Sequence, residues 1–178
     1  MKCSVYIATS ADGFIARPDG DVDWLHRPEF DDAGKIGLVY NEFISTIDPI
    51  VMGRHTFEKV MTFDHWYYEG TEVVVLSTQS LKVPKHLAGK VRVTSGAPEH
   101  IVTELANDGK QHLYIDGGIT IQRFLQAKLI HELTITVIPI LLGSGIPLFG
   151  INGTEQLLEL IEVFSSEKGT IQKRYRVV

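Results

Sequence analysis

Cysteine is all but missing from this chain: Cys3 is the only one among 178 residues. A lone cysteine excludes an internal disulfide framework and a cysteine-rich zinc site. Its place in an apolar run suits a small core residue. Surplus positive charge is missing too. The chain has 17 Lys and Arg against 22 Asp and Glu, a formal net charge of −5. That argues against a general binder of nucleic-acid backbones. No segment approaches the ~20 apolar residues of a membrane-spanning helix, and Met1 to Ile7 lack the long apolar stretch of a secretory signal. The seven histidines fall in no H-x-x-x-H spacing, which speaks against a structural zinc. Repeats, low-complexity tracts and linkers are absent. The expectation is a soluble, cytoplasmic protein with one domain over residues 1–178, touching neither membrane nor nucleic acid.

What is present is ordinarily globular: 44% hydrophobic and 22% charged residues. Apolar runs predict strands at 2–9, 49–52, 73–76, 91–94, 112–115 and 131–141. Helical spacing predicts helices over about 36–47, from His55 or Thr56 onward, over 97–107 and over 119–127. Between Ser10 and Asp32 lies a loop rich in Asp, Gly and Pro, long enough to be functional or mobile. The tail alternates as a hairpin, 157–166 and 170–178, around Lys168-Gly169. Strands that alternate with helices and close on a hairpin predict an α/β fold. Its central sheet would be mostly parallel and flanked by helices, with an antiparallel hairpin at the C-terminus.

Ligands of open α/β sheets sit at the carboxyl ends of strands, and three such ends carry suitable chemistry. At Val51-Met52-Gly53-Arg54-His55-Thr56, Gly53 permits a tight turn, the next helix offers free N–H groups, and Arg54 adds a permanent cation. His55 and Thr56 add donors. A helix cap beside a solvated arginine would look the same. Ser77 and Thr78 follow a buried strand, where hydroxyls could bond a ribose or its phosphate, or simply shape a turn. Asp116-Gly117-Gly118-Ile119-Thr120 lets backbone approach a pyrophosphate or merely turn tightly. None of the three is the G-x-G-x-x-G fingerprint. Together, on one sheet edge, they are stronger than any one alone.

These strings resemble the dihydrofolate reductase superfamily, in particular the branch holding the C-terminal reductase domain of riboflavin-biosynthesis enzymes. Val51 to Glu58, Val74 to Thr78 and Asp116 to Leu125 are similar to its nucleotide-binding turns in order and spacing. Thr9 to Ala16 resembles the riboflavin branch's S-x-D-G-x-I-A signature, and Val137 to Gly145 its P-x-L-L-G-x-G segment. The resemblance implies hydride transfer from NADPH to a flat heterocyclic small molecule. Ala8 and Ile15 would line the nicotinamide pocket, and Gly53, Arg54, His55 and Thr56 would hold phosphates. Arg54 and Thr78, beside Ser77, would meet the 2′-phosphate; Gly117, Gly118, Thr120 and Ile121 would cover the pyrophosphate. The branch is typically dimeric, so a homodimer is expected.

A reductase of C=N or C=O must also deliver a proton. By the resemblance, Glu29 stands five residues after the loop tryptophan Trp24, where dihydrofolate reductases place a carboxylate. Asp12, of the D-G signature, is the rival, and Asp12, Trp24 and Glu29 are the candidate substrate contacts. The implied reaction is reduction of a pterin, a pyrimidine or a related ring. Reduction of 5-amino-6-(5-phosphoribosylamino)uracil is the named alternative, dihydrofolate reduction a third. A sensor that binds NADPH without catalysis is the rival from another class. A phosphorylated substrate needs cations, which Arg17, Arg27 and Lys35 could supply. Asp19, Asp21 and Asp23 alternate like a calcium loop, but Trp24 and Phe30 stand where Gly and Glu are required. Tyr40, Trp66, Tyr67 and Tyr68 are assigned to packing.

Overall fold

The computed structural model describes residues 1–150 and 153–178. The chain opens with β1 (Lys2–Ser10), β2 (Phe14–Ala16), α1 (Tyr40–Ile44), β3 (Pro49–Gly53) and α2 (Arg54–Val60). It continues through β4 (Glu72–Leu76), β5 (Val91–Thr94), α3 (Pro98–Asn107), β6 (His112–Asp116) and α4 (Gly118–Gln126). It ends with β7 (Glu132–Ile138), β8 (Ile146–Pro147), β9 (Leu158–Ser165) and β10 (Ile171–Val177). Eight strands form one sheet in the order β5-β4-β3-β6-β1-β7-β10-β9, and β2 pairs with β8 in a small second sheet. The strands from β5 to β7 pair in parallel. β10 and β9 add antiparallel. The expected α/β class is found.

Period-two alternation explains why the central runs are apolar throughout: each strand feeds a core on both faces. Val51 of β3, Val74 of β4 and Ile115 of β6 face one side, where they meet Ile101 and Leu105 of α3 and Ile121 and Phe124 of α4. Ile50, Met52, Val73, Val75 and Tyr114 face the other, against Phe43 of α1 and Phe57 and Val60 of α2. Phe57 and Phe124 are almost wholly buried. Truncating either to alanine would cost about 3–5 kcal/mol.

Two expected elements are shorter than their apolar pattern, and each has a local cause. The helix expected over 36–47 is confined to Tyr40–Ile44. The Gln172 amide accepts the Leu38 N–H at 2.8 Å and donates to the Leu38 carbonyl at 3.1 Å, which spends the backbone bonds a helix would need. Gly37 adopts φ +60, and a Cβ there would stand 2.2 Å from Gln172 Oε1. The strand expected to reach Leu141 ends at Ile138, because Pro139 has no N–H for the ladder. The long loop after Ser10 contains β2 and three short 3-10 turns: Asp23–His26, Pro28–Phe30 and Ala33–Lys35. Its single pairing partner, β8, lies more than a hundred residues on, beyond the reach of local pattern.

Candidate active site

A cavity of about 980 Å³ runs along the carboxyl edge of β5, β4, β3, β6 and β1. That is at the upper end of the roughly 300–1,000 Å³ of small-molecule sites. Strands ~4.8 Å apart make this edge about 19 Å long, enough for an extended dinucleotide.

The three turns read in the sequence follow β3, β4 and β6 and make the phosphate-type stretch of the cavity wall. Gly53, Arg54, His55, Thr56, Ser77, Thr78, Gly117, Gly118 and Thr120 all line the cavity. The turns after β3 and β6 touch one another. A Cβ on Gly117 would meet Thr56 Oγ1 at 2.2 Å, and one on Gly53 would meet Thr120 Oγ1 at 3.0 Å. Gly117 also has φ +85, open to glycine at little cost and straining other residues. Its carbonyl accepts the first helical bond of α4, from Ile121 N–H at 2.9 Å. The N–H groups of Gly118, Ile119 and Thr120 therefore fall outside the helical ladder and are available to an anion. Arg54 is held by Glu58 at 3.2 Å, and His55 is largely exposed beside the same carboxylate. Ser77 Oγ donates to the Gln79 carbonyl at 2.8 Å and accepts its N–H at 3.1 Å, which leaves Thr78 exposed at the rim. Ile121 does not reach the cavity wall; its side chain is fully buried in the core against Phe124 and Leu133.

The β6 and β1 end has a different chemistry. Ala8 and Ile15 line it, and a Cβ on Gly118 would stand 2.9 Å from Ile15 Cδ1. Strand alternation puts Asp116 on the same face as Tyr114, at the cavity's inner end with Tyr6 and Tyr68. Burial pushes the Asp116 carboxyl above the usual carboxylate range, against the opposing pull of the Gly117 N–H at 2.8 Å and the Tyr114 and Tyr68 hydroxyls. Burial likewise pushes the Tyr68 and Tyr40 hydroxyls well above the usual phenol value, with the Asp116 charge adding to it. Tyr114 donates to the Tyr6 carbonyl and Tyr6 to the Leu38 carbonyl, both at 2.8 Å. The tyrosines are thus fixed around one desolvated acid. A carboxylic acid so placed keeps its proton to higher pH than a free one and could pass it to a bound ring. The sequence contained one signal for it, the shared face of positions 114 and 116, but Asp116 read only as part of a turn. Tyr68, assigned to packing, both packs against Trp66 and lines the cavity.

The structure brings neither Asp12 nor Glu29 nor Trp24 to the cavity wall. The Asp12 carboxylate accepts from the Ser10 hydroxyl at 2.6 Å, Gly143 N–H at 2.7 Å and Leu142 N–H at 3.1 Å. The Ser10 hydroxyl, then the Gly143 and Leu142 amides, hold it below the usual carboxylate range. It joins the two signature segments, Thr9 to Ala16 and Val137 to Gly145. Glu29 is exposed on a 3-10 turn, and Trp24 is fully buried in the loop. Arg17 is bound by Asp23 through two nitrogens, at 2.6 and 3.1 Å, and Arg17, Arg27 and Lys35 all lie off the wall. Among the described residues, no group of His, Cys, Asp and Glu could hold a metal ion, and no helix is long and apolar enough to cross a membrane.

Comparison with known proteins bears on the family and the fold. The family model described as the RibD C-terminal domain matches residues 2–171. The crystal structure of a putative riboflavin biosynthesis protein from Shewanella sp. PV-4 is 36% identical, with a TM-score of 0.89 over 100% of this chain and 99% of that one. A diaminohydroxyphosphoribosylaminopyrimidine deaminase/5-amino-6-(5-phosphoribosylamino)uracil reductase from Thermotoga maritima shares the fold. Its TM-score is 0.72 at 16% identity, over 99% of this chain and 56% of that longer one. So does dihydrofolate reductase from Enterococcus faecalis, solved with NADP(H), with a TM-score of 0.68 at 17% identity over 99% of this chain and 96% of that one.

Proposed function

Given that this chain belongs to the RibD C-terminal domain family and has a dihydrofolate reductase-like fold, we propose that it is an NADPH-dependent reductase of a small heterocycle. The observation that carries the reading is a cavity joining three phosphate-type turns to one part-buried acid, Asp116. The residues fit a dinucleotide. Gly53, Gly117 and Gly118 line the cavity where a Cβ would press on Thr120, Thr56 or Ile15, and Arg54 can exchange Glu58 for a phosphate. Thr78 and Ser77 would flank the 2′-phosphate. When bound, the reduced nicotinamide supplies a hydride. Ala8, Ile15 and Gly118 would press its ring against the substrate, which is the larger part of catalysis by positioning. Asp116 would hold the proton that completes reduction of the C=N or C=O bond, with the Gly117 N–H fixing its carboxyl. This assigns the acid to Asp116 rather than to Asp12 or Glu29.

Titration of the protein with NADPH and NADH, followed by loss of the reduced-nicotinamide absorbance with pterins and aminouracils, tests the reading. The expected result is micromolar NADPH binding, at least tenfold weaker NADH binding (about 1.4 kcal/mol), and turnover of a ring substrate. Absence of NADPH binding contradicts it. Binding without turnover on any ring would leave the coenzyme sensor.

The same proposal includes a homodimer. β9 is an edge strand whose Leu158, Leu160 and Val163 stand about half exposed, a patch that a second copy would cover. Sedimentation as a monomer at micromolar concentration counts against it.

A further inference from the structure

We infer that Glu58 competes with the coenzyme phosphate for Arg54 and His55, and that its charge limits how far the protein prefers NADPH to NADH. The inference rests on the reductase reading, with Arg54 as the cation that meets the 2′-phosphate. Arg54, His55 and Glu58 all line the cavity. On α2 they stand four and three positions apart, the spacings at which helical side chains meet. The two oxygens of the Glu58 carboxylate are divided between its neighbours. Oε1 lies 3.2 Å from Arg54 Nη1, and Oε2 lies 3.4 Å from His55 Nδ1. Two oxygens of a phosphate would make the same pair of contacts. The other lysine and arginine of the wall are engaged elsewhere. Lys59 is bound at 3.2 Å to Asp21, which is off the wall, and Arg123 donates to the Gly96 carbonyl at 2.9 Å. Arg54 is thus the wall cation held by a carboxylate of the wall itself.

Both Glu58 contacts are long for charge-assisted bonds, which run at about 2.7–2.9 Å. The Glu58 side chain is 45% exposed, and an exposed i, i+4 pair contributes little. A phosphate dianion, with three strong acceptor oxygens, can therefore displace the carboxylate. Displacement does not remove its charge. Glu58 is fixed one turn along the same helix, its Cβ about 6 Å from that of Arg54. It stays within the ~8 Å over which exposed charges act at physiological salt. Its repulsion falls chiefly on the 2′-phosphate, which NADH lacks. A carboxylate that served to preorganise Arg54 would act with the opposite sign, and removing it would weaken coenzyme binding.

The test is equilibrium titration of the unaltered protein, Glu58→Gln and Glu58→Ala with NADPH and with NADH. Glutamine keeps an oxygen for Arg54 without the charge; alanine removes the contact. Both variants are expected to bind NADPH roughly threefold tighter or more, the size exposed charge interactions reach, while NADH affinity changes by less than about half that factor. The gain should shrink as salt rises. Glu167→Gln, which removes one charge from an exposed turn off the cavity wall, should bring no gain. Unchanged or weaker NADPH binding in either Glu58 variant overturns the proposal and leaves the reductase reading standing. So does an equal gain for NADH, an equal gain from Glu167→Gln, or a gain that salt does not move. Failure of the unaltered protein to bind NADPH overturns the reductase reading and this proposal with it.

Discussion

The two ends of the cavity are made in different ways. Along the turns after β3, β4 and β6, each contribution is a short continuous string: Gly53 to Thr56, Ser77 with Thr78, Gly117 to Thr120. The groups offered there are largely backbone N–H and a few side chains fixed by the turn that carries them. At the β1 and β6 end, the acid and its surroundings come from Tyr6, Tyr40, Tyr68 and the β6 pair Tyr114 and Asp116, four separate stretches of the chain. A phosphate-type turn is a local device and can be built by consecutive residues. A desolvated acid needs walls on several sides, which only tertiary packing supplies.

Substitutions at each end should therefore fail in different ways. The largest effect is expected for Asp116→Asn, which should lower turnover by about 10²–10⁴-fold and leave NADPH affinity nearly unchanged. The pH profile sharpens this. Burial raises the Asp116 value in the folded protein, so the acid stays protonated to higher pH than in the unfolded chain. Turnover should fall as pH rises through the raised value, and stability should fall over the same window, because the folded state holds a proton the unfolded state has released. Thermal melts of the Asn variant should lack that decline. Equal pH profiles for both proteins would break the contrast between the two ends.

Arg54→Ala should do the reverse. Loss of a charge-assisted phosphate contact worth about 1.5–3 kcal/mol should raise the NADPH Kd roughly ten- to hundredfold, with turnover at saturating coenzyme little changed. Equilibrium titration beside steady-state rates separates the two quantities. Gly117→Ala sits where the ends meet. Its φ of +85 and the 2.2 Å approach to Thr56 Oγ1 should cost of order 1–3 kcal/mol, read as a lower midpoint in denaturant. The smallest effect is expected for Asp12→Ala, a lowered Tm from the loss of the bonds to Leu142 and Gly143. Asp12 is held below the usual carboxylate range. Its contribution is present above the unfolded value and lost as pH falls through the folded one. The Tm gap should be full at neutral pH and close in acid.

The same contrast explains what the sequence disclosed. The parallel sheet was legible because Val73 to Leu76 and Pro49 to Met52 are apolar on both faces, as strands under two layers of helix must be. Eleven of the twelve residues expected to line a coenzyme site reach the cavity. Ile121 does not, because one step along α4 from Thr120 turns a side chain from the cavity into the core. The proposed acid was not legible. Asp12-Gly13 and Asp116-Gly117 look alike in one dimension. The structure gives the first carboxylate three donors outside the cavity and the second a desolvated place within it. The pairing of β2 with β8 and the clamp of Gln172 on Leu38 likewise join residues more than a hundred positions apart.

The most direct test of a common site for coenzyme and acid is a crystal structure of the protein with NADPH bound. The account predicts the adenosine phosphate between Arg54 and Thr78, the diphosphate over Gly117 and Gly118, and the nicotinamide between Ala8 and Ile15 with one face open toward Asp116. Coenzyme bound elsewhere, or a nicotinamide ring walled off from Asp116, would contradict it.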